Sequence, residues 1–145
     1  MQLTFSFDLT NNFDIDDEVF LVHNIIEEIN LSFLDSAYSS RGRKPVVEPG
    51  TMLKILVFAY LNKKYSARDI EDACRYDPRF RWLLYNGKTP DHVTINRFRN
   101  KIYPFMEEML NQLINLLIEQ GEIDLKSIYI DGIKIEANAN RYTFV

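Results

Sequence analysis

Residues 51–62, TMLKILVFAYLN, are apolar on nearly every side of the helix that Pro49 is placed to open. Proline suits a first helical turn, where its missing N–H costs nothing, and a helix with no polar face has to be surrounded. Other elements must therefore wrap around this stretch, which points to a mainly α fold, a helical bundle built about one central helix. A chain of 145 residues can bury such a core, since single domains commonly run to ~100–150 residues.

Several segments carry the pattern needed to cover it. In DIDDEVFLVHNIIEEINLSF, acids stand at a helix start and Val19, Val22, Ile26 and Ile29 recur at helical spacing. In KYSARDIEDACRYDP, Ser66 and Asp69 form a capping box and Pro78 stops the helix, so a second helix is predicted over about residues 67–76. A short helix through Phe80 to Tyr85 should end at the Asn86–Gly87 turn signal. From Pro104 to Gln120 the chain is long and amphipathic, with Met106, Met109, Leu110, Leu113 and Leu117 on one side and Gly121 as a stop. That stripe reads first as core; widened by Ile114 and Leu116, it also has room for a partner helix. The opening FSFDLTNN reads as extended, and SSRGRKPVVEPG, punctuated by Pro45, Pro49 and two glycines, as a linker.

The net charge of −4 conceals a segregation along the chain. Residues 1–40 hold eight acids and no Lys or Arg, residues 41–101 hold fourteen bases against six acids, and residues 102–145 hold three bases against seven acids. A basic module of net +8 thus lies between two acidic flanks. Such an excess is the footprint of a phosphate binder, and equally of a solvated basic face paired with its flanks. Within the module, Arg41, Arg43 and Lys44 cluster as an RGRK arm that reads either as a DNA-groove arm or as an exposed loop.

TPDHVTINRFRNKI is the most specific stretch of the module. Asp91 is a good N-cap, and at 100° per residue Ile95, Phe98 and Ile102 gather on one face. Opposite lie Asn96, Arg97 and Asn100, with Arg99 and Lys101 on the shoulders. Arginine pairs with guanine edges and asparagine with adenine edges, so this is the composition of a recognition helix; a surface helix that merely carries polar residues has it too.

Catalytic chemistry is sparse. His23 and His92 are the only histidines, neither beside a nucleophile, and there is no Gly-rich phosphate loop, Cys-x-x-Cys or paired-His metal motif. His23 reads as an ordinary partly buried histidine, and Cys74, the single cysteine, as a small buried hydrophobe. Asp131 in SIYIDGIKIE has two readings: the corner of an Asp–Gly hairpin, which the local pattern favours, or a strand-mounted carboxylate able to ligate a divalent cation. No stretch approaches the ~18 apolar residues of a membrane span, and no basic leader precedes a cleavage site, so a cytoplasmic location is expected.

The run from RGRKPVVEPG to TPDHVTINRFRNKI, followed by YIDGIKIEANANRYTFV, resembles bacterial insertion-sequence transposases of the DDE type, those with an InsH-like N-terminal domain. The likeness spans about Phe13 to Val145 and is most specific in PDHVTINRFR and IDGIKIEANANRYTF. It implies a helical DNA-binding region, with a helix-turn-helix-like arrangement, over residues 1–121, and the start of an RNase H-like catalytic domain over residues 122–145, entered by a β strand or hairpin. In such enzymes three acids hold two Mg²⁺ ions for phosphodiester transfer; by position Asp131 matches the first acid. The resemblance also implies double-stranded DNA, at the terminal inverted repeats, as partner. The sequence ends fourteen residues after Asp131, before a second Asp or a Glu of the triad, so this polypeptide by itself is expected not to cut or join DNA. The DNA contacts expected from the helical face and the arm are Arg41, Arg43, Lys44, Asn96, Arg97, Arg99, Asn100 and Lys101. A second function class is an interaction module that pairs with itself or with a full-length transposase through the Pro104–Gln120 helix; a stand-alone transcription regulator ranks third because it leaves the tail unexplained.

Overall fold

Among the described residues the first helix is α1, Glu18–Glu28, which Asp17 caps: its side chain accepts the Val19 N–H at 2.9 Å. The fold comes from a computed structural model that describes residues 13–14, 16–38 and 41–122. Val19, Val22 and Ile26 form the buried side of α1, as their spacing predicts. The helical pattern does not run on unbroken. Ile29 turns extended, Asn30 Oδ1 accepts the Ser32 N–H at 3.0 Å, and a separate short helix, α2, spans Ser32–Ala37. An asparagine side chain that competes for a backbone donor is a local reason for this break.

The central helix α3, Pro49–Leu61, buries Met52, Leu53, Ile55, Leu56, Phe58 and Ala59, together with Lys54. Helices α1, α4 (Ala67–Tyr76), α5 (Pro78–Leu83) and α6 (His92–Ile102) all pack against it, which satisfies the requirement its apolar surface imposes. Each fully buried Leu, Ile or Phe contributes about 1.5–3 kcal/mol, so α3 is the principal source of cohesion. Phe58 of α3 meets Phe80 of α5 at 4.9 Å between ring centroids. Cys74, on α4, is wholly buried, and burial pushes its thiol up to about 12.

Caps follow the sequence closely. Ser66 accepts from the Asp69 N–H at 3.0 Å and opens α4, and Asp77 both ends α4 and caps α5 by accepting the Arg79 N–H at 2.9 Å. After α5 the left-handed backbone falls on Tyr85 (φ 51°) and Asn86 (φ 57°), not on the glycine. Gly87 is required for a different reason: a Cβ there would stand 2.9 Å from the Leu84 carbonyl oxygen, which already accepts the Gly87 N–H at 2.8 Å.

The chain divides into two compact units, residues 1–106 and 107–145. A 3-10 turn with Pro104, Tyr103–Phe105, interrupts the helical run between α6 and α7, Met106–Glu119. On α7, Met106 and Leu110 are exposed, while Leu113, Ile114, Leu116 and Leu117 are half-buried. The described residues are mainly helical with no strand among them, and no helix among them is long and apolar enough to cross a membrane. The extended opening segment, the C-terminal strand or hairpin, and Asp131 lie outside the described residues.

Candidate nucleic-acid interface

Helix α6 is mounted at its base and clamped at its N-terminus. Ile95, Phe98 and Ile102 are buried, the seat expected from the sequence. Asp91 accepts the Thr94 N–H at 2.7 Å, and this backbone bond holds its carboxyl below the usual range. A second carboxylate, which the sequence reading missed, closes the same end: Glu71 of α4 accepts the His92 N–H at 3.0 Å and the His92 ring Nδ1–H at 2.8 Å. Because a carboxylate only accepts, this geometry fixes the proton on Nδ1. Arg75 donates to the other Glu71 oxygen at 2.5 Å. With two acids at its N-terminus, α6 can offer anions only its flank and its C-terminal half.

That flank faces the arm. Tyr38, Arg43, Lys44, Pro45, Val46, Val47, Met52, Thr94, Arg97, Phe98 and Lys101 line one groove of about 230 Å³, so the two basic clusters, separated by some fifty residues of sequence, share one cleft. Val47 is buried and pins the arm, while Gly42 at φ 125° lets it turn in a conformation denied to side-chain-bearing residues. The Lys101 ammonium lies 4.0 Å from the Tyr38 ring centroid, a cation–π contact that holds it at the groove wall. Burial raises the Tyr38 hydroxyl above its ordinary value, so the phenol stays neutral. Among the described residues, Arg43, Lys44 and Arg97 have no ion-pair partner. Guanidinium and ammonium groups on two walls of a cleft suit a phosphate backbone.

The remaining expected contacts fall elsewhere. Arg41 is exposed and outside the groove; Asn96 and Asn100 are exposed on the outward strip of α6 with Val93. Arg99 is turned the other way. Its Nη2 donates to the Tyr65 carbonyl oxygen, Nη1 reaches Asn96 Oδ1 at 3.4 Å, and its Cζ lies 5.6 Å from the Tyr60 ring centroid. Thr94 and Tyr38 were not anticipated; the i, i+3, i+7 spacing of Thr94, Arg97 and Lys101 was the available signal for the first, and nothing in the sequence marks the second.

Other basic residues of the module are tied into the fold. Lys54 pairs with Glu27 and donates to His23 Nδ1 at 3.1 Å; Arg79 pairs with Asp77 at 3.3 Å and reaches Asp17 at 4.0 Å; Arg81 donates to the Gly87 carbonyl and the Thr89 hydroxyl, both at 3.1 Å. A larger depression, of about 710 Å³, is walled by Asp69, Asp72 and Asp77 as well as Lys63, Lys64 and Arg79; its mixed charge suits neither phosphate nor a metal. No cluster of three or more His, Cys, Asp or Glu among the described residues fits a metal ion, so the two-metal chemistry implied for Asp131 has no counterpart there.

The described fold is thus an all-helical domain in which one capped helix and a basic arm enclose a cationic cleft. Residues 7–101 match the transposase domain family DUF772, and the chain belongs to that family, which gives it a role in transposition. No curated protein and no solved structure matches the chain.

Proposed function

We propose that residues 41–101 bind double-stranded DNA at the terminal inverted repeats of an insertion sequence. The groove that joins Arg43 and Lys44 to Arg97 and Lys101 carries this reading. Phosphates lie along the cleft, and the adjoining strip of Val93, Asn96, Arg97 and Asn100 meets base edges, with α6 as the recognition helix of a helix-turn-helix-like unit with α4 and α5. Phosphate contacts position the helix and base contacts select the sequence. The strand chemistry belongs to acids that the transposase resemblance implies, with Asp131 as the first of them and Mg²⁺ as the group that would activate the attacking oxygen.

Fluorescence anisotropy with a labelled terminal-repeat duplex and a scrambled duplex tests the reading. Binding should favour the repeat, and log Kd against log salt should have a magnitude of slope of about 3–4 if four groups each neutralise one phosphate. Equal affinity for the scrambled duplex would remove terminal recognition, and a flat salt dependence would remove the cleft.

A further inference from the structure

The last residues of α3 and the turn that leads to α4, Tyr60-Leu61-Asn62-Lys63-Lys64-Tyr65, present two aromatic rings to solvent. Their centroids lie 6.0 Å apart with planes inclined at 32°, and Tyr60 is 42% and Tyr65 63% exposed, whereas Phe58, two residues earlier, is wholly buried. Arg99 binds this turn to α6: one guanidinium nitrogen holds the Tyr65 carbonyl, another reaches Asn96, and the plane covers part of Tyr60. The Arg99 Nε is buried without a hydrogen-bond partner, so the guanidinium is drawn into this position at some polar cost. The tyrosine pair is therefore continuous with the outward face of α6.

We propose that Tyr60 and Tyr65 form a stacking platform for an unpaired nucleobase beside the bound duplex; the proposal rests on the duplex reading above. A continuous duplex covers the π-face of every base with its neighbour, so exposed rings can stack only on a base at a strand end or one extruded from the helix. The surroundings favour a nucleic-acid strand over an apolar protein surface. Lys63 and Lys64 lie between the tyrosines, Lys63 and Arg68 are exposed, and neither has an ion-pair partner among the described residues. Asp69, Asp72 and Asp77 line the same depression as Lys63 and Lys64. With Lys63, Lys64 and Arg79 on the same walls that depression is of mixed charge and gives a phosphate chain no net attraction, which leaves the Arg99 side, toward α6, as its route.

The full chain is titrated with a blunt duplex and with the same duplex carrying a short single-stranded extension. One stacked base should make the extended duplex bind about tenfold tighter, within the range that base–aromatic stacking provides. Tyr60→Leu with Tyr65→Leu should abolish that gain and leave blunt-duplex affinity unchanged, while Tyr60→Phe with Tyr65→Phe should keep it. The single Tyr65→Leu variant, at the more exposed ring, repeats the test if the pair melts early. Equal binding of the two DNAs, or a gain retained in the Leu variants, overturns the platform and leaves duplex binding standing. Binding of the extended DNA alone overturns the cleft reading and leaves the platform; binding of neither overturns both. Self-association that the Leu pair abolishes, with the two DNAs bound equally, assigns the patch to a second copy of the chain.

Discussion

Glu71 on α4 grips His92, the first residue of α6, by backbone and ring together, at 3.0 and 2.8 Å. The first N–H groups of a helix have no intrahelical acceptor, so Asp91 and Glu71 between them satisfy two donors of α6 and fix its angle to α4. The His92 ring and then its N–H hold the Glu71 carboxyl below its ordinary value of 4.5. A carboxyl lowered in the folded state stabilises above the unfolded pKa, and that contribution fades as pH falls through the lowered value. Glu71→Gln should therefore lower Tm at neutral pH, and the gap to wild type should narrow as pH falls below the ordinary carboxylate value. Thermal melts of both proteins across that range decide it; a gap that ignores pH would show that shape, not charge, holds α6.

The α1–α3 interface should loosen at mildly acidic pH. Lys54, only 4% exposed, has no acceptor atom, so it donates to His23 Nδ1 and the neutral imidazole keeps its hydrogen on Nε2, with its ring edge-on to Trp82 at 5.1 Å. Burial, then the Lys54 charge, lower the His23 pKa, against a smaller upward pull from Glu27. The unfolded chain takes up a proton near 6.5 and the folded one only at lower pH, so the stability present above 6.5 is lost as pH falls through that window. Tm should drop between about pH 7 and pH 5, and His23→Gln should flatten the drop. Lys54→Met, an apolar replacement of a buried charge, should cost less than about 1 kcal/mol and weaken the same dependence. A wild-type Tm that stays constant over the window would sink this account.

What was legible in the sequence is what is local. Asp17, Ser66 and Asp91 each cap through a bond spanning two or three residues, and Ile95, Phe98 and Ile102 repeat within one helix, so a short window contains the whole cause. The charge excess of residues 41–101 was visible, but not its division of labour. Lys54 finds Glu27 twenty-seven positions away, Arg99 finds Tyr65 thirty-four away, and Glu71 finds His92 twenty-one away. No spacing rule announces such pairs, because packing around α3 creates them. The same packing brings Arg43 and Arg97 to the lining of one groove, which joins two separate basic clusters.

The end of α3 holds a residue in a costly backbone conformation. The Lys64 N–H bonds to the Ala59 carbonyl at 2.8 Å and the Lys63 N–H to the Tyr60 carbonyl at 3.0 Å, the paired bonds of a Schellman C-cap, with Lys63 at φ 58° where glycine is preferred. The left-handed conformation costs a side-chain-bearing residue about 1–2 kcal/mol, and glycine returns about 0.4–1 of that through unfolded-chain entropy. Lys63→Gly should therefore stabilise by up to about 1 kcal/mol, raising Tm by several degrees in calorimetry. A lowered Tm would mean that the lysine stem makes contacts worth more than the strain.

Arg97 and Arg99, two residues apart on α6, should separate binding from stability. Arg97 is exposed, lines the cleft and has no ion-pair partner among the described residues, so Arg97→Ala should leave Tm within about 0.5 kcal/mol of wild type. On the proposed duplex reading the same change should remove one phosphate contact, and the salt slope for duplex binding should fall by about 1. Arg99 bridges the α3–α4 turn to α6, and its loss leaves the Tyr65 carbonyl without that donor and uncovers Tyr60. Arg99→Ala should destabilise by about 1–3 kcal/mol, as expected for a charge-assisted hydrogen bond, and weaken DNA binding by displacing the helix. Lysine at position 99 keeps the charge but not the fork that reaches carbonyl and ring together, so Arg99→Lys should recover little of the lost Tm. The informative readout is the pair of measurements on each variant. If Arg99→Ala lost affinity at unchanged Tm, Arg99 would be a direct contact; if Arg97→Ala kept the full salt slope, the phosphates would lie outside the cleft.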